Sequence, residues 1–175
     1  DKRKKVHVKS VKKSGSKSGN LIDIKEKLSS FIETPFSITI PFEAFEKTLQ
    51  NNSGSRALLD KLTSELSSHH QNYPSPLLHI RELITGLTIP NDIVQAIRDE
   101  ILQQESGMIQ WSKSLEDAIT SNIKKVWASV WNERAYLSRF SRKVTVDRVR
   151  MGVLIQNVIP ADYSFLIHTR NPVSN

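Results

Sequence analysis

The sequence predicts an α+β chain, rich in helix and carrying a small, mainly antiparallel sheet. Apolar residues recur at helical spacing from Leu21 to Tyr136, whereas the last third holds a nearly unbroken apolar run, a Pro-Ala-Asp turn and a second apolar run. With 175 residues, 38% of them hydrophobic, the chain can bury a core of one domain without help from disulfides, and it has no cysteine to make one.

Taken in order, Leu21, Ile24, Leu28 and Phe31 predict an amphipathic helix over roughly 18–32, which Thr34-Pro35 ends. Phe36 to Ile40 alternates and is rich in β-branched residues, so it reads as a strand, and Pro41 opens a helix through Phe42, Phe45 and Leu49. Asn51 to Ser55 is a loop, and Leu58, Leu59, Leu62 and Leu66 mark the next helix. After a loop over Ser67 to Ser75, helices follow over about 76–87 and 91–104, with Asn91 or Asp92 as cap of the second. Ser114 is read as the cap of the longest helix, whose apolar face runs from Leu115 through Trp127 and Trp131 to Tyr136. Met151 to Ile159 and Tyr163 to Thr169 are read as two strands in the interior of a sheet, because a run without alternation implies burial on both faces.

Charge is concentrated at one end. Residues 1–17 hold eight Lys or Arg and one Asp, while the other 158 residues carry 17 basic and 17 acidic groups and are neutral. A neutral body with a basic arm lacks the positive face expected of a folded nucleic-acid binder. No apolar run approaches the roughly 20 residues needed to cross a bilayer, and no membrane partner is expected. The chain begins without Met and ends at Asn175 in what reads as a loop, so a piece of a longer protein is expected.

Few residues carry a chemical signal on their own. Ser14 to Asn20 is a small-residue loop containing Lys17 and feeding a helix start, where free amides and a lysine could hold a phosphate. It lacks Walker A spacing, and a plain turn and cap is the simpler reading. Arg134 stands beside Glu133, either as a clamp for an anion or as a surface pair. Gln156 interrupts an apolar strand, where a buried amide must find partners, and Arg170 sits where the last strand exits. His69-His70 has no third ligand nearby in sequence, and His7, His79 and His168 are isolated, so no metal site is expected. Trp127, Trp131 and Tyr136 read as core residues.

These signals gain weight together, because Ile123-Lys124-Lys125-Val126-Trp127-Ala128-Ser129-Val130-Trp131-Asn132-Glu133-Arg134-Ala135-Tyr136 resembles a stretch of the alpha-glucan, water dikinases, enzymes that phosphorylate starch. The resemblance continues through Met151 to Ile159 and Ala161 to Thr169. Upstream, Gly15-Ser16-Lys17-Ser18-Gly19-Asn20 is similar to the family's Gly-Ala-Lys-Ser-x-Asn loop, followed by a similar Pro35 to Phe45. The sequence departs from the pattern at Asn157, where Glu is common, and at Asn175, where Gly is expected; Thr169-Arg170-Asn171-Pro172 is nearer to pyruvate, phosphate dikinase.

The resemblance implies part of an ATP-grasp-like nucleotide-binding domain. The charge run makes residues 1–14 a basic arm or linker, and the resemblance makes 15–175 the N-terminal part of the ATP-binding domain, truncated at its C-terminus. Lys17, Arg134, Gln156 and Arg170 are the expected ATP-binding residues, with no catalytic residue and no metal ligand in the chain. ATP and Mg²⁺ are the expected cofactors, and the alpha-glucan is expected to bind domains not present here. The transferred phosphate would pass through a histidine on one of those domains, so this chain alone would be inactive. The compartment would be the plastid in a green plant and the cytoplasm otherwise. The alternatives are a pyruvate-utilising dikinase or synthase of the same fold and a non-enzymatic helical module whose basic arm binds nucleic acid.

Overall fold

In the computed structural model the described residues are 20, 21, 23, 24, 26, 27, 31, 33–68, 72–104, 109–146 and 149–166. Lys17, Arg170, His69, His70 and residues 167–169 of the expected last strand lie outside them. Ahead of the first strand, Asn20, Leu21, Asp23, Ile24, Glu26 and Lys27 are helical, in keeping with the helix expected over 18–32.

The chain then runs β1 (Ser37–Ile40), α1 (Phe42–Asn51), α2 (Ser55–Ser68), α3 (Pro74–Gly86), α4 (Asn91–Gln104), α5 (Lys113–Ser129), α6 (Glu133–Ser141) and β2 (Val153–Gln156). The helix-rich α+β reading holds. β1 and β2 form a two-stranded antiparallel sheet in which Ser37 faces Gln156, Ile38 faces Ile155, Thr39 faces Leu154 and Ile40 faces Val153. Residues directly opposite share a face, so Ile38, Ile40 and Val153 lie together on the buried side and Ser37, Thr39 and Gln156 on the other. The Asn157 amide extends the ladder by donating to the Phe36 carbonyl at 3.1 Å.

α4 packs on β1, α5 on β2, and α3 lies between α2 and α5. Trp127 sits at the centre of the core, 1% exposed, its ring tilted against Phe45 at 5.3 Å between centroids. Ile80, Ile84, Ile97 and Ile123 are equally enclosed. The buried Thr48 hydroxyl donates to the Ala44 carbonyl at 2.7 Å, so its burial leaves it paired. No helix among the described residues is long and apolar enough to cross a membrane.

Several sequence expectations are corrected. The long helix ends at Ser129: Trp131 and Asn132 close it with bonds to the Ala128 and Ser129 carbonyls, and Asn132 turns extended and starts α6. The cap of α5 is Ser112 rather than Ser114, since the Ser112 hydroxyl accepts from the Leu115 amide at 3.2 Å. At α4 neither Asn91 nor Asp92 caps; both lie in the first turn, and the Pro90 carbonyl accepts from the Ile93 and Val94 amides. The strand expected over Met151 to Ile159 is only four residues long, and Tyr163 to Leu166 forms no strand. Past Asn157 the described residues offer no further partner strand, and Val158, Tyr163, Phe165 and Leu166 are at least 80% exposed. An apolar run without alternation predicts burial on both faces, but that burial needs a second covering layer, which the described residues do not supply.

Candidate functional site

Of the four expected nucleotide-binding residues, Arg134 and Gln156 are described. Arg134 is the second residue of α6 and is exposed. Its backbone is fixed by neighbours on both sides. Trp131 and Tyr136 are buried, the Asn132 side-chain oxygen accepts from the Arg81 guanidinium at 3.2 Å, and Glu133 accepts from the Tyr73 hydroxyl at 2.6 Å. The start of α6 is thereby tied to the start and middle of α3. The carboxylate of Glu133, holding the phenolic proton, raises the Tyr73 pKa above its ordinary 10.0, with burial adding to the effect. Glu133 is therefore engaged with Tyr73, which favours Arg134 as a cation presented outward over a Glu133–Arg134 surface pair.

Gln156 closes β2 and is exposed rather than buried in mid-strand. The reason lies in the register: its opposite residue is Ser37, on the face away from Ile38 and Ile40. It borders a cavity of about 270 Å³ between α5 and β2, lined also by Ile119, Asn122, Ile123, Val126 and Leu154. This is slightly under the ~300–1,000 Å³ of ordinary ligand pockets. An apolar slot with an amide at its rim can take a flat heterocycle and hydrogen-bond its edge. The structure does not unite the two residues: none of the three described cavities is lined by both Arg134 and Gln156.

Asn157, the departure from the family pattern, is exposed and uses its backbone amide in the sheet. His79 is an exposed residue of α3. Trp127, Trp131 and Tyr136 are core, as the sequence suggested. Tyr73 and Arg81, which brace the start of α6, were missed by the sequence reading. They lie 60 and 51 residues from their partners, and no local pattern marks them.

Comparison with known proteins adds the family. Residues 103–175 match the family described as pyruvate phosphate dikinase, AMP/ATP-binding domain. The chain is 36% identical over 166 residues to alpha-glucan water dikinase 1, chloroplastic, of Arabidopsis thaliana, an alignment covering 91% of this chain and 11% of that protein. It is 40% identical over 167 residues to the chloroplastic alpha-glucan water dikinase of Solanum tuberosum, with the same coverage. Rifampicin phosphotransferase of Bacillus subtilis is 22% identical over 167 residues, covering 82% of this chain and 19% of that protein. The chain thus spans about a tenth of the length of its plant relatives. Along nine-tenths of its length the chain is similar to the alpha-glucan water dikinases, and its residues 103–175 carry the match to the pyruvate phosphate dikinase AMP/ATP-binding domain.

Proposed function

We propose that the chain is the nucleotide-holding part of an alpha-glucan, water dikinase. In this reading residues 1–14 are a basic arm and residues 15–175 the N-terminal part of the ATP-binding domain. The observation that carries it is the match to an AMP/ATP-binding domain over a segment that includes Arg134, Gln156 and Arg170. Relatives whose names give them different acceptors, a glucan and rifampicin, align with the same stretch. A stretch shared by proteins named for different acceptors is better suited to holding a common phosphoryl donor, for which the AMP/ATP-binding domain speaks, than to choosing the acceptor.

Gln156 serves the base, its amide hydrogen-bonding the edge of a ring seated against Ile119, Ile123 and Val126. Lys17 and Arg170 meet the phosphates as point charge and fork, and Arg134 offers a further cation. The chain's task is positioning and charge compensation, the two contributions on which phosphoryl transfer depends. The β-phosphate of ATP then passes to a histidine elsewhere in the longer protein and on to a glucosyl hydroxyl, while the γ-phosphate goes to water. Mg²⁺ accompanies the nucleotide in this scheme. Its acidic protein ligands are expected, by the resemblance, in a part of the longer protein beyond these residues. If the source is a green plant, the plastid is the compartment, as in the names of the plant relatives.

The test is calorimetric titration with Mg-ATP. Binding is expected, weakened about tenfold by Lys17→Ala, which corresponds to about 1.4 kcal/mol. Gln156→Ala should lose severalfold for adenine nucleotides and much less for inorganic triphosphate. Unchanged affinity in both variants would remove the site assignment, and no nucleotide binding by the protein would remove the function.

A further inference from the structure

Away from Gln156, and sharing no lining residue with its cavity, a larger hollow of about 570 Å³ opens beside α6. Its walls are mostly apolar, including Leu66, Phe140 and Val144, yet two cations, Arg139 and Lys143, line it as well. No carboxylate stands among its described lining residues. The volume falls within the range that holds a small organic ligand.

Arg139 is the informative residue. Its guanidinium carbon lies 5.5 Å from the centre of the Trp131 ring, and its Nη2 is buried with no hydrogen-bond partner. Arg139 as a whole is half-buried, but a buried guanidinium nitrogen normally donates to a carboxylate or a carbonyl, because an unpaired donor in a low dielectric is costly. Here the ring face supplies only part of that compensation. Burial accordingly lowers the guanidinium's pKa, with Tyr136 offsetting part of the effect.

Lys143 is placed by the end of α6. Its amide donates to the Phe140 carbonyl and that of Val144 to the Arg139 carbonyl, each at 3.0 Å, the double bond pattern of a Schellman end. That pattern requires a left-handed residue, and Lys143 takes it at φ 54°, where glycine is the usual choice. A lysine held in a strained backbone, beside an arginine with one buried nitrogen left without a hydrogen bond, gives the cavity a positive end against an apolar wall.

We propose that this cavity binds an organic anion with an apolar body, its carboxylate or phosphate head paired with Arg139 and Lys143 and its body against Leu66, Phe140 and Val144. The site is distinct from the proposed nucleotide site and does not depend on it. It gives the chain a place for an amphipathic effector that is not its phosphoryl donor.

The experiment follows the three tryptophan indole N–H signals of the ¹⁵N-labelled protein, with Trp131 assigned by Trp131→Phe. Octanoate, octyl phosphate and octanol are titrated separately. One or both anions should shift the Trp131 signal saturably, with octanol at least tenfold weaker; the tighter anion identifies the head group. Arg139→Gln should weaken the anion tenfold or more. Lys143→Gly should weaken it severalfold in a chain at least as stable as the parent, so that loss of binding is not loss of fold. Equal affinity for octanol and the anions would show a merely greasy groove and overturn the proposal. So would the absence of any saturable shift, or affinities unchanged in both variants. Competitive displacement of the anion by Mg-ATP would also overturn it, by making the cavity part of the nucleotide site. If Arg139→Gln does not fold, the anion-to-octanol ratio and Lys143→Gly decide.

Discussion

Asn52 pairs with the backbone of Thr88 in the way one strand residue pairs with another. Its side-chain oxygen accepts from the Thr88 amide at 2.9 Å, and its nitrogen donates to the Thr88 carbonyl at 2.8 Å while also reaching the Thr48 carbonyl at 2.7 Å. One amide thus closes the C-terminal end of α1 and fixes the extended segment between α3 and α4. Asn52→Ala removes all three bonds. Because Thr88 is exposed and water can take its groups, the loss should be about 1–2 kcal/mol rather than the full sum. Urea unfolding would measure it, and a change under a few tenths would mean that the clamp contributes nothing. Asn52→Asp keeps the acceptor but loses the donor, and should fall between the two.

The Tyr73–Glu133 bond makes a pH-dependent prediction. The hydrogen bond to Glu133, reinforced by burial, holds the Tyr73 pKa above 10.0 in the folded chain. A raised pKa stabilises the fold fully below the unfolded value, and that contribution disappears as pH climbs through the folded value. Stability should therefore decline above pH 10.0, more in the parent than in Tyr73→Phe. Glu133→Gln should bring the phenol back toward its ordinary titration, read as the tyrosinate absorbance difference against Tyr73→Phe. An unmoved titration curve would show that the α3–α6 brace is not formed in solution.

Ser112 caps α5, with its oxygen on the Leu115 amide, and Lys113 in the next position reaches Glu116 at 2.8 Å and Asp117 at 3.1 Å. Ser112→Ala should cost about 1 kcal/mol, and Ser112→Gly only a few tenths. Ser114→Ala, by contrast, should be near neutral, since Ser114 lies inside the helix, is exposed and has its hydroxyl on that of Ser112 rather than on a backbone amide. The two alanine variants, compared by thermal unfolding, separate the cap found in the structure from the one suggested by the sequence.

What the sequence discloses of this fold is what local spacing decides. The alternation of Phe36 to Ile40 became β1, the leucines from Leu58 to Leu66 fell on α2, and Ile93 to Ile101 on α4, because each pattern is completed within a few turns. The break between α5 and α6 was hidden for the opposite reason. Trp127, Trp131 and Tyr136 suit one continuous helix as well as two, and the break lies at Asn132, whose side chain pairs with Arg81 on another helix. Likewise an apolar run such as Met151 to Ile159 states a preference for burial but not how many layers cover it. At the candidate site, Arg134 and Gln156 could be named from the sequence, yet the bracing of one by Tyr73 and the exposure of the other depended on pairing across the fold.

Lys143 offers a prediction in which removing a side chain should strengthen the fold. It follows Arg142 at the end of α6 in the left-handed region, at φ 54°, a conformation in which a β-carbon crowds the backbone. The two hydrogen bonds that define the end, from Lys143 to Phe140 and from Val144 to Arg139, are backbone bonds and survive any substitution that keeps the conformation. Lys143→Gly retains them and relieves the crowding, against the greater freedom glycine gives the unfolded chain. Relief of the left-handed cost is about 1–2 kcal/mol, and the added unfolded-state entropy takes back about 0.4–1, leaving a net gain of roughly 0.5 kcal/mol. Lys143→Asn should lie near zero, because asparagine tolerates this region better than lysine but less freely than glycine. Lys143→Val should be clearly destabilising, since a β-branched side chain fits this backbone worst. Denaturant midpoints that rank Gly above Lys and Val below both would confirm that this strain is real, and the reverse order would show that the end of α6 adopts another conformation in solution.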